Sequence, residues 1–504
     1  MMQYGGGSNG WAVSGNKTKS GKPILSNDVH LALLSPSVWY EVHMVSEEDK
    51  INVIGASVPG LENVMIGHND KIAWGVTLSN IDVEDLFLEQ FVEWPFVYEH
   101  KGKQLKAEVR EEVIHIKGQP DHIEQVVETI HGPIVSHSLF ETHNDQHIAL
   151  SSISIKSKLS TRGTALLATV SSWKEFVNAA EKVETPTLNI VFADVHGNIG
   201  YYVTGAIPIR DNKGTGVTIS NGSSGEHDWI GRIPFSEMPH ILNPKEGFVL
   251  SANHPIAGEN YDHYLGRTFS QAFRAHRLHQ LLSNHSKDYF TVEDFVKFQN
   301  DIYSLPAKKL ASKIIHLYEK MPLEHQQDED MKFVVNLFKN WDGKMTKETV
   351  EGTVYQVIRN CTVFRILAPT LSTEKVLLMQ GKGFHPVFRA ASEFIGFDVS
   401  TLLRMLNNNN SWWISQRGSA AQVVFEGVKD AMQLLENHFG PDRTSWHWGK
   451  LHQISFKHIL GSQAPLDRVF NIGPFPHIGD LDTAHLSGQL PGSYIGSGFN
   501  PTYK

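Results

Sequence analysis

The residues best placed to do chemistry lie where three glycines, Gly5, Gly6 and Gly7, run directly into Ser8 in the stretch "YGGGSNGWAVSGNKT". Three readings of that junction compete. A flexible segment is one, because glycine loses the most conformational freedom on ordering. A dinucleotide loop is the second, since Gly5, Gly7 and Gly10 spell G-x-G-x-x-G. That motif needs a strand before it and a helix after it, and neither Met1 to Tyr4 nor "WAVSGNKTKSGK" reads as either. A G-x-S-x-G elbow at Ser8 lacks its preceding strand for the same reason. The third reading is self-cleavage: a small, permissive Gly-Ser junction lets the Ser8 hydroxyl fold back on the Gly7 carbonyl and cut the chain there. The freed α-amine has a reference pKa of about 7.7–8.0 and serves as a base at neutral pH. One residue then supplies nucleophile and base, and no serine-histidine-aspartate relay is required.

Composition removes several other functions. The net charge is −9 and the pI about 6.3, with no basic run, which argues against a nucleic-acid partner. Cys361 is the only cysteine, so there is neither a disulfide framework nor a cysteine-built zinc site. The 27 histidines form no H-E-x-x-H motif, and the closest helical pair, His276 and His279, reads as a surface feature. A histidine-built metal site is not expected. No apolar run reaches the 18 residues of a membrane span, and "MMQYGGGS" has neither the basic nor the apolar region of an export signal.

The elements that must position Ser8 follow from periodicity. At 504 residues the chain exceeds the roughly 250–300 at which one core stops growing, which predicts several lobes or a layered domain with insertions. "NVIGASVPGLENVMIGHNDKIAWGVTLS" alternates short apolar runs with turn residues, "HNDK" separating two strand-like segments as a first hairpin candidate, and "LNIVFADVHGNIGYYVTG" reads as a second hairpin turning at Asp194 to Asn198. From about 288 to 400 the period becomes helical: Leu310, Ile314 and Leu317 follow Pro306, Val334, Leu337, Phe338 and Trp341 form another face, and Thr291 with Asp294 resembles a capping box. "TSWHWGKLHQISFKH" returns to strand-like alternation. The expected fold class is α+β, sheet interrupted by a helical insertion.

At this point a resemblance becomes specific. "GSNGWAVSGNKTKSGKPILSNDVHLALLSPSVWYEVHM", "VPGLENVMIGHNDKIAWGVTLSNIDVEDLF", "VFADVHGNIGYYVTGAIPIR", "GFVLSANHP", "FRAHRL" and "LDRVFNIGPFPHIGD" resemble, in this order, the β chain of the penicillin acylase family of N-terminal-nucleophile amidohydrolases. The resemblance implies an αββα sandwich of two stacked antiparallel sheets, cut from a precursor between Gly7 and Ser8, with residues 1–7 a linker remnant and 8–504 the acylase-like domain. It assigns the oxyanion donors to the Leu78 backbone and the Asn253 side chain. His30 takes the position whose backbone meets the nucleophile's amine, and Arg274 that of the arginine which helps place it. It also implies a structural calcium held by Asp82 and Asp85 with the Glu84 carbonyl, a later aspartate such as Asp262 aligning poorly. Hard cations want several oxygen ligands, so this acidic cluster suits calcium without requiring it. Leu31, Ile66, Val76 and Leu78 match the acyl-pocket wall; all are aliphatic, which favours an aliphatic or mixed acyl group over an arylacetyl one. Penicillins, acyl-homoserine lactones and N-acyl amino acids share the amide chemistry. Family members carry a separate α chain ahead of the serine and further strands at the end, so a partner chain is expected, and exported relatives suggest the periplasm or the cell exterior. The alternative is an unprocessed, non-catalytic remnant that binds acylated small molecules.

Overall fold

The computed structural model describes residues 7–61, 63–136, 146–157, 162–283, 289–380, 394–408 and 410–487. The glycines Gly5 and Gly6 and the segment from residue 488 onward lie outside the described residues.

Two sheets are stacked at the centre. The seven-stranded antiparallel one is built on the Leu188–Asp194 strand, flanked by Ile199–Thr204 on one side and Ile72–Leu78 on the other. Both hairpins expected from sequence form: Ile66–Asn69 turns into Ile72–Leu78, and Leu188–Asp194 into Ile199–Thr204. The Asp194 carboxylate closes the second turn by accepting from the backbone N–H groups of His196 and Asn198. The smaller sheet has three strands, with Gly7–Val13 between Ile24–His30 and Phe248–Ser251.

The Gly7–Val13 strand is buried over its whole length because it is covered on both faces. One face, with Ala12 against Val191 and Val249, packs on the large sheet. The other carries Trp11 and Val13 into a cluster with Phe248, Leu278, Phe295 and Phe298, supplied partly by the helices Phe273–Ser283 and Val292–Gln299. On the far side of the large sheet, Phe176 of the helix Trp173–Ala180 packs with Trp74, Ile190 and Phe192. The order of layers is therefore helix, sheet, sheet, helix, and the αββα sandwich is the fold of this chain.

A helical block stands beside the sandwich. The long Val350–Leu371 helix is buried on nearly every face and packs against Leu305–Tyr318, Glu329–Asn340 and Ala420–Phe439. Thr291 and Asp294 make the capping box, and Pro306 lies in the first turn of Leu305–Tyr318. The helices of this part of the chain run from Phe273 to past residue 400, and the stretch around Trp448 is a short helix followed by the Gln453–Phe456 strand. Trp446 and Trp448 are both buried in the helical block, so the strand-like reading holds for Gln453–Phe456 and not for the aromatic residues before it.

Candidate active site

Ser8 is the second residue of the buried Gly7–Val13 strand, paired with Val29 while Gly7 faces His30. Its hydroxyl donates to the carbonyl oxygen of Gly7 at 2.6 Å, so it lies against the Gly7–Ser8 peptide bond. Two residues clasp the serine backbone. Asn253 Oδ1 accepts from the Ser8 N–H at 2.6 Å, and Arg274 donates to the Ser8 carbonyl at 2.9 Å. The same guanidinium donates to Asn9 Oδ1 at 2.7 Å and to Asn253 Oδ1 at 3.0 Å. Because the Asn253 oxygen faces two donors, its amide orientation is fixed, and its Nδ2 donates to the Leu78 carbonyl at 2.8 Å. One Nδ2 hydrogen satisfies that bond and the second remains for another acceptor.

Each part of the clasp has a local cause. Asn253 follows the Phe248–Ser251 strand with φ of 62°, a left-handed conformation that asparagine tolerates better than most residues. Arg274 is the second residue of the Phe273–Ser283 helix and is buried. Burial pulls its guanidinium down to about 10, against the pull of Asp482 and Asp28, so it remains a cation at neutral pH. A cation beside Ser8 favours the neutral form of an amine there, which is the form a base needs.

Gly7 has to be glycine. A Cβ at this position would stand 2.8 Å from the Arg274 guanidinium and 3.0 Å from Asn253 Oδ1. Gly7→Val should displace the clasp and slow cleavage at the 7–8 bond by about 5- to 150-fold, the cost of 1–3 kcal/mol of overpacking. Intact mass followed over time reads this out, and cleavage at the wild-type rate would mean that the clasp yields freely.

The structure brings Ser8, Asn253, Arg274 and the end of the Ile72–Leu78 strand together. His30 stands apart in its side chain: its Nε2 meets Asp28 at 2.9 Å, and its backbone, opposite Gly7, is what faces the junction. Burial lowers the His30 pKa despite Asp28; burial also works to raise the Asp28 carboxyl, but the hydrogen bonds from His30 and Asn9 and the His30 and His485 charges together bring it down. Of the expected acyl wall, Val76 is buried in the core beneath the Trp173–Ala180 helix, with Ile66 and Leu78 packed against it. Leu31, just past the Ile24–His30 strand, is half-buried and is not part of that cluster.

Sequence reading missed the polar residues that join the sheets. Asn27 donates to the Asn9 and Val76 carbonyls and accepts from the Val76 N–H, locking the strand next to Ser8 onto the large sheet. Thr77, Asn189 and Ser251 form a second buried cluster across the gap, with Thr77 and Ser251 hydroxyls 2.8 Å apart. Asn9, beside the nucleophile, is wholly buried between Arg274, Asp28 and the Ala484 carbonyl. No spacing rule points to these residues, because strand register across two sheets brings them together.

The sequence profile of the penicillin amidase family matches residues 2–503, essentially the whole chain. The chain belongs to the penicillin amidase family. Among its relatives, the acyl-homoserine lactone acylase QuiP of Pseudomonas aeruginosa is 28% identical over 520 residues, covering 95% of this chain and 59% of that protein. Penicillin acylase 2 proenzyme of Pseudomonas sp. (strain SE83) is 26% identical over 492 residues, covering 97% and 60% respectively. The chain thus spans about three-fifths of the length of these penicillin amidase relatives. Its fold is similar to that of thermostable penicillin G acylase from Alcaligenes faecalis, with a TM-score of 0.70, 20% sequence identity, and coverage of 89% of this chain and 82% of the other.

The acidic segment does not fit a calcium ion as its side chains stand. Asp85 Oδ2 accepts from Arg210 Nε at 2.8 Å and from the Trp229 indole, while Asp82 lies 3.4 Å from the same guanidinium. The Glu84 side chain accepts from the Ser152 hydroxyl at 2.8 Å, and Asp262 is exposed. Of the donor oxygens here Asp85 Oδ1 is buried and unpartnered, whereas calcium takes 6–8. Burial raises the Asp82 carboxyl, and Arg210 opposes that rise. Arg210→Met should therefore leave two carboxylates without their cation and cost about 3–5 kcal/mol in urea unfolding. A loss below about 1 kcal/mol would show that Arg210 is dispensable to the pair.

Proposed function

We propose that the chain is the catalytic part of an amidohydrolase that cleaves the amide of N-acylated small molecules with Ser8 as its N-terminal nucleophile. The observation that carries this reading is the Ser8 hydroxyl resting 2.6 Å from the Gly7 carbonyl oxygen while Asn253 and Arg274 hold the serine backbone from two sides. In self-cleavage the Ser8 oxygen attacks the Gly7 carbonyl carbon and the C–N bond breaks. The Ser8 nitrogen takes up the hydroxyl proton and becomes a free amine, and water then hydrolyses the resulting ester to a Gly7 carboxylate and the Ser8 hydroxyl. Toward a substrate amide the amine accepts the hydroxyl proton and later delivers it to the leaving amine. An acyl ester on Ser8 is left, which water then releases. The free Asn253 Nδ2 hydrogen and the Leu78 N–H would meet the negative charge that develops on the carbonyl oxygen.

The family's acylase names, penicillin and acyl-homoserine lactone, set the substrate classes to try. Leu31, Ile66 and Leu78 are aliphatic and only partly buried, whereas Val76 lies in the core behind them; on that basis we infer a preference for aliphatic or mixed acyl chains, with an α chain completing the pocket. The test expresses the chain with any upstream coding sequence and screens acyl-homoserine lactones, penicillins and N-acyl amino acids for amine release. A new N-terminus at Ser8 with release from at least one class is the expected result. A chain that keeps its Gly7–Ser8 bond and releases nothing would replace this reading with a binding protein of the same fold.

A further inference from the structure

Away from Ser8, four segments distant in sequence bring together His100, His131, Asp228 and Glu89. His100 ends the Val97–His100 strand, His131 sits in the turn between His122–Thr129 and Gly132–Pro133, and Asp228 directly precedes the Trp229–Arg232 strand. Glu89 lies within the Glu84–Glu93 strand. The ligand-type atoms of His100, His131 and Asp228 all fall within 4.8 Å of one another, and both histidines are buried.

The orientation of the rings is the decisive feature. His100 Nδ1 lies 3.0 Å from the Gly222 carbonyl, which can only accept, so Nδ1 carries the hydrogen. His131 Nδ1 lies 2.7 Å from Glu89 Oε1, and the carboxylate likewise requires a donor. A neutral imidazole has one N–H, so both Nε2 atoms then present lone pairs. Both face the same carboxylate, His131 Nε2 at 3.0 Å from Asp228 Oδ1 and His100 Nε2 at 3.3 Å from Asp228 Oδ2. Lone pairs facing a carboxylate at these distances need positive charge between them. Two buried imidazolium ions would supply it, and so would one divalent cation.

We propose that His100 Nε2, His131 Nε2 and the Asp228 carboxylate form a structural binding site for a divalent transition metal ion of the zinc type. Ligand bonds of about 2.0–2.1 Å at tetrahedral angles place ligand atoms about 3.3 Å apart, and His131 Nε2 and Asp228 Oδ1 already stand 3.0 Å apart, with the His100 nitrogen in the same 4.8 Å cluster. The Glu89 carboxylate and the Gly222 carbonyl act as the outer partners that fix tautomer and ring direction in metal-binding histidines. Gly222 must be glycine for this, since a Cβ there would lie 2.3 Å from Glu89 Oε2. Phe87 stacks on His131 with ring centroids 3.9 Å apart and holds it in place. Lys101 Nζ, 2.8 Å from Asp228 Oδ2, competes for one oxygen, but that side chain is half exposed and free to swing outward while the other oxygen binds. The ion would fasten the Val97–His100 hairpin to the loop that carries Trp229, whose indole donates to Asp85.

The test uses the untagged full-length chain, stripped with chelator and titrated with zinc chloride, with bound metal and melting temperature followed together. One equivalent of zinc and a rise of about 3–6 °C are expected. Cobalt in its place should give the intense visible bands of a tetrahedral site. The double variant His100→Gln, His131→Gln should lose both the equivalent and the shift, while His115→Gln, His122→Gln at exposed histidines should keep them. Binding below about a tenth of an equivalent, cobalt without tetrahedral bands, or undiminished binding by the first double variant would overturn the proposal. If that variant does not fold, the cobalt spectrum of the unaltered chain decides the matter.

Discussion

Ser8→Ala leaves the peptide bond after Gly7 intact and reduces amide hydrolysis to background. The loss expected is on the order of 10⁶-fold, because one substitution removes the nucleophile and also prevents release of the amine that serves as its base. The fold should survive. Ser8 contributes one side-chain hydrogen bond, to the Gly7 carbonyl, and its backbone contacts to Asn253 and Arg274 do not depend on the side chain. The expected cost in stability is thus about 1 kcal/mol. Intact mass, urea unfolding and amine release on the same preparation separate the cases. An alanine variant that still shows a new N-terminus at residue 8, or that hydrolyses amides at more than about 1% of the parent rate, would remove Ser8 from the mechanism.

Asn253 gives the second large effect, and it can be divided in two. Its Oδ1 anchors the Ser8 N–H and receives Arg274, while its Nδ2 donates to Leu78 and has one hydrogen to spare. Asn253→Ala removes both functions and should lower kcat/KM per processed molecule by about 10²–10³-fold, the usual loss for one oxyanion donor, together with slower processing. Asn253→Asp keeps an acceptor facing Ser8 and Arg274 but has no hydrogen to donate. It should process faster than the alanine variant and yet hydrolyse amides as slowly. Equal activity in Asn253→Asp and the unaltered chain would mean that the residue positions Ser8 without touching the reacting carbonyl.

How much of this was legible beforehand depended on the range of the interaction involved. The hairpins at Asn69 and Asp194, the Thr291 capping box and the Pro306 helix start all formed as read, since side-chain period and cap chemistry act within a few residues. The chemical significance of Ser8 was also present in the chain itself, as a small junction ahead of a hydroxyl. The ordered resemblance that led to the family is likewise a property of the sequence.

Other features depend on pairings between residues far apart in the chain. Arg274 reaches Ser8 across 266 positions, and Asn253 across 245, because a helix and a strand end converge on one buried strand. Asn27 and Asn9 carry no motif, and their roles follow from register between sheets. Arg210 lies 125 positions from Asp85, so the guanidinium that pairs with this acidic segment cannot be read from the segment itself. The histidines offered no metal spacing, yet His100 and His131 converge on Asp228 from separate turns. The sequence by itself determined the local elements and the family, and it singled out Ser8 as the candidate to test, because those depend on neighbouring residues and their order. Which polar groups face one another, and with what charge, was decided only by tertiary structure, since burial and long-range pairing determine whether a buried polar group finds a partner.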